Sequence, residues 1–236
     1  MSRAIIRPLW GDFSLQDGFA TNRSLILKTI DLVLNDKYTT PFWVYVCGED
    51  NYRFLTETKK LTNVIMVSKD STLRSPKHCY LNRLDICKVA IKHFDEIVCL
   101  NWNCRLVKPF DMGFWDALGK KEAIQAPLIK SRINLLTSRN GKENKIFPND
   151  SFLYFRCEDE INNVMAINKL SGIPNDWTSE SLIAHYLDNK HGGWIGVEKY
   201  AELYEPDVVN IDRVGMVMKQ NPFFITNKIF KTEKIR

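Results

Sequence analysis

The sequence predicts a single α/β domain built on a mostly parallel sheet, and three observations carry that expectation. Apolar strand-length runs alternate with helix-period segments through the first seventy residues. An amphipathic helix then runs into the short apolar stretch Ile97-Val98-Cys99-Leu100, the mark of a strand covered on both faces. No glycine-rich GxGxxG or GxxxxGK[ST] follows any strand, which argues against a dinucleotide-type Rossmann domain and a P-loop NTPase.

Taken in order, Ala4 to Leu9 reads as a strand interrupted by Arg7 and ended by Trp10-Gly11-Asp12. A helix capped by Thr21 or Asn22 runs through Leu25, Ile26, Ile30, Val33 and Leu34. Phe42 to Cys47 is the second strand, stopped by Gly48-Glu49-Asp50. Asn51 to Leu61 reads as a helix and Val64 to Val67 as a third strand. In the helix that follows Pro76, Leu84, Cys87, Ile91 and Phe94 recur at helical spacing, and Asn82, Asp85, Lys88 and Lys92 fall mostly elsewhere around the turn.

Beyond Asp111 come a short helix around Phe114, Trp115 and Leu118, then a strand from Ala123 to Pro127. The polar stretch from Arg132 to Lys145 reads as an exposed loop, either an acceptor-facing flap or a solvated hairpin tip. A hydrophobic strand over Phe152 to Phe155, a helix from Asp159 to Leu170 and a helix from Ser181 to Leu187 follow. Late strands are expected over Tyr204 to Val209 and Phe223 to Ile225, ahead of a lysine-bearing tail.

At 236 residues the chain is long enough for a substantial core. Its 33 Lys and Arg against 28 Asp and Glu leave a net charge of +5, compatible with a diphosphate-bearing ligand or a nucleic acid and diagnostic of neither. Six irregularly spaced cysteines give no disulfide framework and no CxxC pair. No apolar run approaches the roughly 20 residues of a membrane span, and the N-terminus lacks a signal-peptide core. The expectation is a cytoplasmic protein without a membrane anchor.

The helix carrying Arg83, the strand EIVCL, the tripeptide Asn101-Trp102-Asn103 and the segment RLVKPFD together resemble a recurring unit of the GT-A fold nucleotide-diphosphosugar glycosyltransferases. The likeness is to the glycogenin-like and galactosyltransferase-like branch, where the tripeptide is Asp-x-Asp. It implies a single domain over 1–236, with a nucleotide-binding half (1–111) and a sugar and acceptor half (112–236). It further implies transfer of a sugar from a nucleotide-diphosphate donor, a UDP-sugar, to an acceptor hydroxyl on a glycan, a protein or modified DNA. Two alternatives stand beside it. One is a viral-type enzyme acting on hydroxymethylated DNA bases, and the other is a non-catalytic nucleotide-sugar binding protein.

The resemblance also implies roles. Pro8, Leu9 and Trp10 cup the base and ribose; Trp10 either stacks on the base or is a core tryptophan under a loop. Asp50 either hydrogen-bonds the ribose or belongs to a solvated turn. Tyr80 and Arg83 share a helix face, and Arg83 either faces the diphosphate or lies on a solvated helix surface. Asn149, before the strand at Phe152, matches a sugar-contacting asparagine, and Asp150 sits beside it. Asp176 and Glu180 fall on the outer positions of an acidic motif close to the transferred sugar. Glu180 and Asp150 are thus the candidate catalytic carboxylates, with a helix-dipole role as the alternative for Glu180. Lys228 and Lys231 are candidates to clamp the diphosphate. The family pattern implies Mn²⁺ or Mg²⁺ at residues 101 and 103. Asn101 and Asn103 offer only neutral amide carbonyls there, so the ion is held weakly or is absent.

Overall fold

The computed structural model describes residues 1–11, 30–31, 33–35, 41–75, 78, 81–102, 104–106, 112–119, 124–125, 128–130, 146–148, 152–170, 179, 182–183, 185–186 and 224–226. Six strands form the central sheet in the order β3-β2-β1-β4-β9-β6. β1 (Arg3–Leu9) pairs in parallel with β2 (Trp43–Cys47) on one side and β4 (Glu96–Leu100) on the other. β3 (Val64–Ser68) extends the parallel set beyond β2. β9 (Phe152–Phe155) runs antiparallel to β4, with Leu100 opposite Phe152, and β6 (Ile124–Gln125) pairs antiparallel with β9. The expected α/β fold with a mostly parallel sheet is the fold observed.

Alternation along the strands divides the core between the two faces of the sheet. Ala4, Ile6, Tyr45, Cys47, Ile97, Cys99, Leu153 and Phe155 pack with Leu84, Ile86 and Cys87 of one helix and Ile161, Val164 and Ile167 of another. These helices are α2 (Asn82–Ala90) and α4 (Glu158–Ile167). Leu9, Val44, Val46 and Trp102 pack on the other face with Ile30, Val33 and Leu55. Every residue of β4 is buried, as its unbroken apolar run predicts.

The amino-terminal edge of the sheet is closed by charge. Arg3 Nε donates to the 1% exposed carboxylate of Glu96 at 2.8 Å, and its Nη1 lies 3.0 Å from Asp116 on α3 (Met112–Gly119). The carboxyl-terminal edge is stitched by loop hydrogen bonds instead. Gly11 N–H donates to Ser71 O at 2.7 Å, and Gly48 N–H donates to Ser68 O at 3.0 Å.

Several local expectations are corrected. The helix expected over 51–61 is α1 (Glu49–Arg53) followed by a π-helical turn over Phe54–Thr58. The turn ends at Lys60, whose positive φ of 57° stops the helix as a left-handed residue does. Of the strand expected from Ala123 to Pro127, the described residues are Ile124–Gln125, which form a strand. In α2 the polar residues do not mark a solvated face: Asn82 is fully buried and its Oδ1 accepts the Leu73 N–H at 3.0 Å. The loop before α2 folds back over that turn and covers it, held by the bidentate Arg74–Asp85 pair. The expectations for residues 132–145 and 204–209 lie outside the described residues.

Two buried acids tie stability to alkaline pH. Burial, with the charge of Asp85 adding to it, pushes the Cys47 thiol from 9.0 up to about 12. Burial alone pushes Tyr45 from 10.0 up to about 12, and its hydroxyl pairs with His93 Nδ1 at 2.8 Å. The folded state keeps these protons where the unfolded chain releases them, so stability falls as pH rises above 9, by up to about 1.4 kcal/mol per pH unit for each group. Urea unfolding of the Cys47→Ala variant should move the onset of this decline toward pH 10, where the tyrosines Tyr45 and Tyr154, both pushed up by burial, carry it. The same measurement on Gly48→Ala should show a loss of about 1–3 kcal/mol. Gly48 has φ 99°, and a Cβ there would stand 3.0 Å from Asn51 Nδ2.

Candidate active site

The strand order reverses at β1: β2 and β3 lie to one side of it, β4 to the other. The crevice outside the carboxyl ends of β1 and β4 is therefore the place where an open α/β sheet binds ligands. The chain delivers Trp10 and Gly11 there from β1, and Asn101 and Trp102 from β4.

Arg7 is the residue that the expectations missed. It is 3% exposed, and its Nη1 donates to the main-chain carbonyl of Asn101 at 2.7 Å. Its guanidinium lies 5.2 Å from the ring centroid of Phe42 and 5.7 Å from that of Trp102, two cation–π contacts that hold its plane. Phe42 and Trp102 meet edge to face at 6.0 Å. The signal was visible in RAIIRPL, where a charge interrupts an apolar strand. A buried charge that survives in a strand has a partner fixed by the fold.

Arg83 approaches the end of β1 from the opposite face of the sheet. It is 8% exposed, and its guanidinium sits 5.5 Å from the Trp10 ring centroid. The solvated-surface alternative for Arg83 is thereby excluded. Trp10 is half-buried, in contact with the core on this face of the sheet and with the Arg83 guanidinium against its ring. Asn51, also unanticipated, holds the turn after β1: its Nδ2 donates to Gly11 O at 2.9 Å and to Cys47 O at 2.7 Å.

Of the other expected donor residues, Pro8, Leu9 and Trp102 are buried. The Trp102 indole N–H donates to the Pro8 carbonyl at 2.9 Å, so this side chain ties β4 to β1. Asp50 is exposed in the first turn of α1, where a carboxylate complements the helix dipole. Asn101 is half-buried at the crevice. Tyr80, Asn103, Asn149, Asp150, Asp176, Glu180, Lys228 and Lys231 lie outside the described residues. Among the described residues, Phe152 is opposite Leu100 and Thr226 is opposite Cys104. The second pairing joins β5 (Cys104–Leu106) to β10 (Phe224–Thr226).

The described donor set does not fit a hard divalent cation. Asn101 has a neutral side chain, and its main-chain carbonyl already accepts from a guanidinium. Glu49 is paired with Arg53 and Asp85 with Arg74. Among the described residues no group of three or more His, Cys, Asp or Glu is arranged to hold a metal.

No protein-family model matches the sequence, and no curated protein is similar to it. Among solved structures the chain is similar to mouse xyloside xylosyltransferase 1 in its apo form. The TM-score is 0.52 over 96% of this chain and 98% of that one, at 6% identity. The fold is GT-A-like. The chain is also similar, with a TM-score of 0.43 and 14% identity, to CMP:2-keto-3-deoxy-manno-octonic acid synthetase complexed with CTP, over 80% of this chain and 86% of that one. In the GT-A-like sheet described above, Trp10 follows β1 with Arg83 against its ring, and Asn101 follows the neighbouring strand β4. Among the described residues no helix is long and apolar enough to cross a membrane.

Replacing Trp102 by Phe keeps the ring stack but leaves the buried Pro8 carbonyl without its donor. A loss of about 1–3 kcal/mol in urea unfolding is expected.

Proposed function

We propose that this protein is a glycosyltransferase that moves a sugar from a nucleotide-diphosphate donor, a UDP-sugar, to an acceptor hydroxyl. The observation that supports this most is that Trp10, with Arg83 against its ring, and Asn101 follow the adjacent strands β1 and β4, where the strand order reverses. The GT-A-like fold, with no glycine-rich phosphate loop in the sequence, is consistent with it.

In this reading the nucleobase stacks on Trp10, whose ring is already held from beneath by Arg83. The diphosphate lies toward Asn101, with Lys228 and Lys231 of the tail closing over it. The acceptor oxygen attacks the anomeric carbon as the bond from that carbon to the diphosphate oxygen breaks, and the nucleoside diphosphate leaves with the electron pair. In direct displacement the acceptor proton passes to a carboxylate, a role assigned to Glu180. Asp150 stabilises the positive charge that develops on the sugar. The protein's main contribution is to hold donor and acceptor in line.

A panel of nucleotide sugars and nucleoside diphosphates should raise the melting temperature, with UDP compounds giving the largest shift. The reading fails if none of them shifts it. Trp10→Ala should abolish most of the UDP-induced shift while leaving the unliganded melting temperature within a few degrees. Glu180→Gln should retain the shift and lower turnover by about 10²–10⁴-fold.

A further inference from the structure

We infer that Asn51 is the positioning residue of the nucleobase platform: its one carboxamide sets the turn that carries Trp10, and donor affinity depends on it through that ring. This rests on the donor reading above, and it concerns a residue to which that reading gives no part.

Trp10 stands one residue beyond the strand ladder. The register of β1 with β2 ends at Leu9 opposite Val46, and with β4 it ends earlier, at Ile6 opposite Cys99. Gly11 follows with φ 103°, a conformation that a residue without a Cβ adopts at little cost. A Cβ at Gly11 would meet nothing within 4 Å. Strand pairing therefore does not dictate the direction in which the chain leaves the sheet with the Trp10 ring, and no side chain at 11 packs to do so. Hydrogen bonds set it instead. Both polar backbone groups of Gly11 are engaged: its N–H donates to Ser71 O at 2.7 Å, and its carbonyl accepts from Asn51 Nδ2 at 2.9 Å.

The same Nδ2 donates to Cys47 O at 2.7 Å, at the end of β2. A primary amide carries two N–H donors on one nitrogen, so Asn51 gives one to each carbonyl. One side chain thus fixes the turn after β1 to β2, a strand paired on both sides within the sheet. Asn51 is 3% exposed, so bulk water does not compete for these bonds. The space around the nitrogen is tight: a Cβ at Gly48 would stand 3.0 Å from it and 3.3 Å from Ser71 Cα. An aspartate at 51 would set acceptor oxygens against two carbonyls, and an alanine would leave both without this donor. A stacked base needs its ring held within about 0.5 Å of the productive position. The Arg83 guanidinium, 5.5 Å from the Trp10 ring centroid, bears on the ring itself, whereas Asn51 bears on the backbone that carries it. Buried as it is, Asn51 acts through the Gly11 peptide and not by touching a ligand.

Fluorine NMR of the full chain labelled with fluorotryptophan tests this. It gives one line for each of the six tryptophans, and the line lost in Trp10→Phe identifies Trp10. In Asn51→Ala that line should move or broaden beyond its width in the unaltered protein. The lines of Trp43, which opens β2, and Trp115, beside Arg3, should stay in place, a pattern that general loss of structure does not produce. Titration calorimetry should show the same variant binding UDP more weakly by about tenfold or more. If every line of Asn51→Ala collapses to its unfolded position, Asn51→Ser, which keeps one hydroxyl donor, should fold and show both changes. A Trp10 line that does not move in the folded variant overturns the inference. A line that moves while UDP affinity stays within about twofold overturns it too. Either result leaves the donor reading standing. Absence of UDP binding by the unaltered protein removes the donor reading and this inference with it, and it shows before any substitution is made.

Discussion

One hydrogen bond joins the halves of this site: the guanidinium of Arg7, inside β1, donating to the carbonyl of Asn101 at the end of β4. Moving an arginine out of water is costly, and the fold offsets that cost with a charge-assisted bond and two aromatic faces. The reciprocal bond, from the Trp102 indole N–H on β4 to the Pro8 carbonyl on β1, makes the link two-way. Where the strand order reverses, neighbouring strand ends diverge into separate loops, and main-chain pairing no longer holds them. These two side-chain bonds hold β1 and β4 in a fixed relation beyond the last register pair, Ile6 with Cys99.

The two edges of the sheet are treated differently, and the difference explains why one is available for binding. At the amino-terminal edge Arg3 pairs with both Glu96 and Asp116, so charge there is engaged within the fold. At the carboxyl-terminal edge the turns after β1, β2 and β3 are tied to one another by peptide hydrogen bonds and by the Asn51 amide. There the half-buried Trp10 has the buried Arg83 against its ring, and the half-buried Asn101 has the buried Arg7 at its carbonyl.

Much of this was legible in the sequence because it depends on local pattern. The run IVCL specified a fully buried strand, and the alternation of strands and helices specified the parallel sheet. Of the two readings the segment allowed for Arg83, its burial excludes the solvated helix surface. What could not be read depends on contacts between distant residues. Arg7 meets Asn101 across 94 positions, and nothing near Arg7 says whether a charge in an apolar strand is solvated at an edge or buried at a crossing. The structural tie made by Trp102 was not legible for the same reason: its partner, the Pro8 carbonyl, is equally remote. Asn82 misled because helical periodicity describes one buried face and not the loop at Leu73 that covers the other.

The decisive measurement is a crystal structure of the full chain with UDP bound. The base should stack on Trp10 and the diphosphate should lie over Asn101, between the ends of β1 and β4. A nucleotide seated at the amino-terminal edge beside Arg3 and Asp116, or on a helical face away from Trp10, would contradict the assignment of this crevice as the donor site.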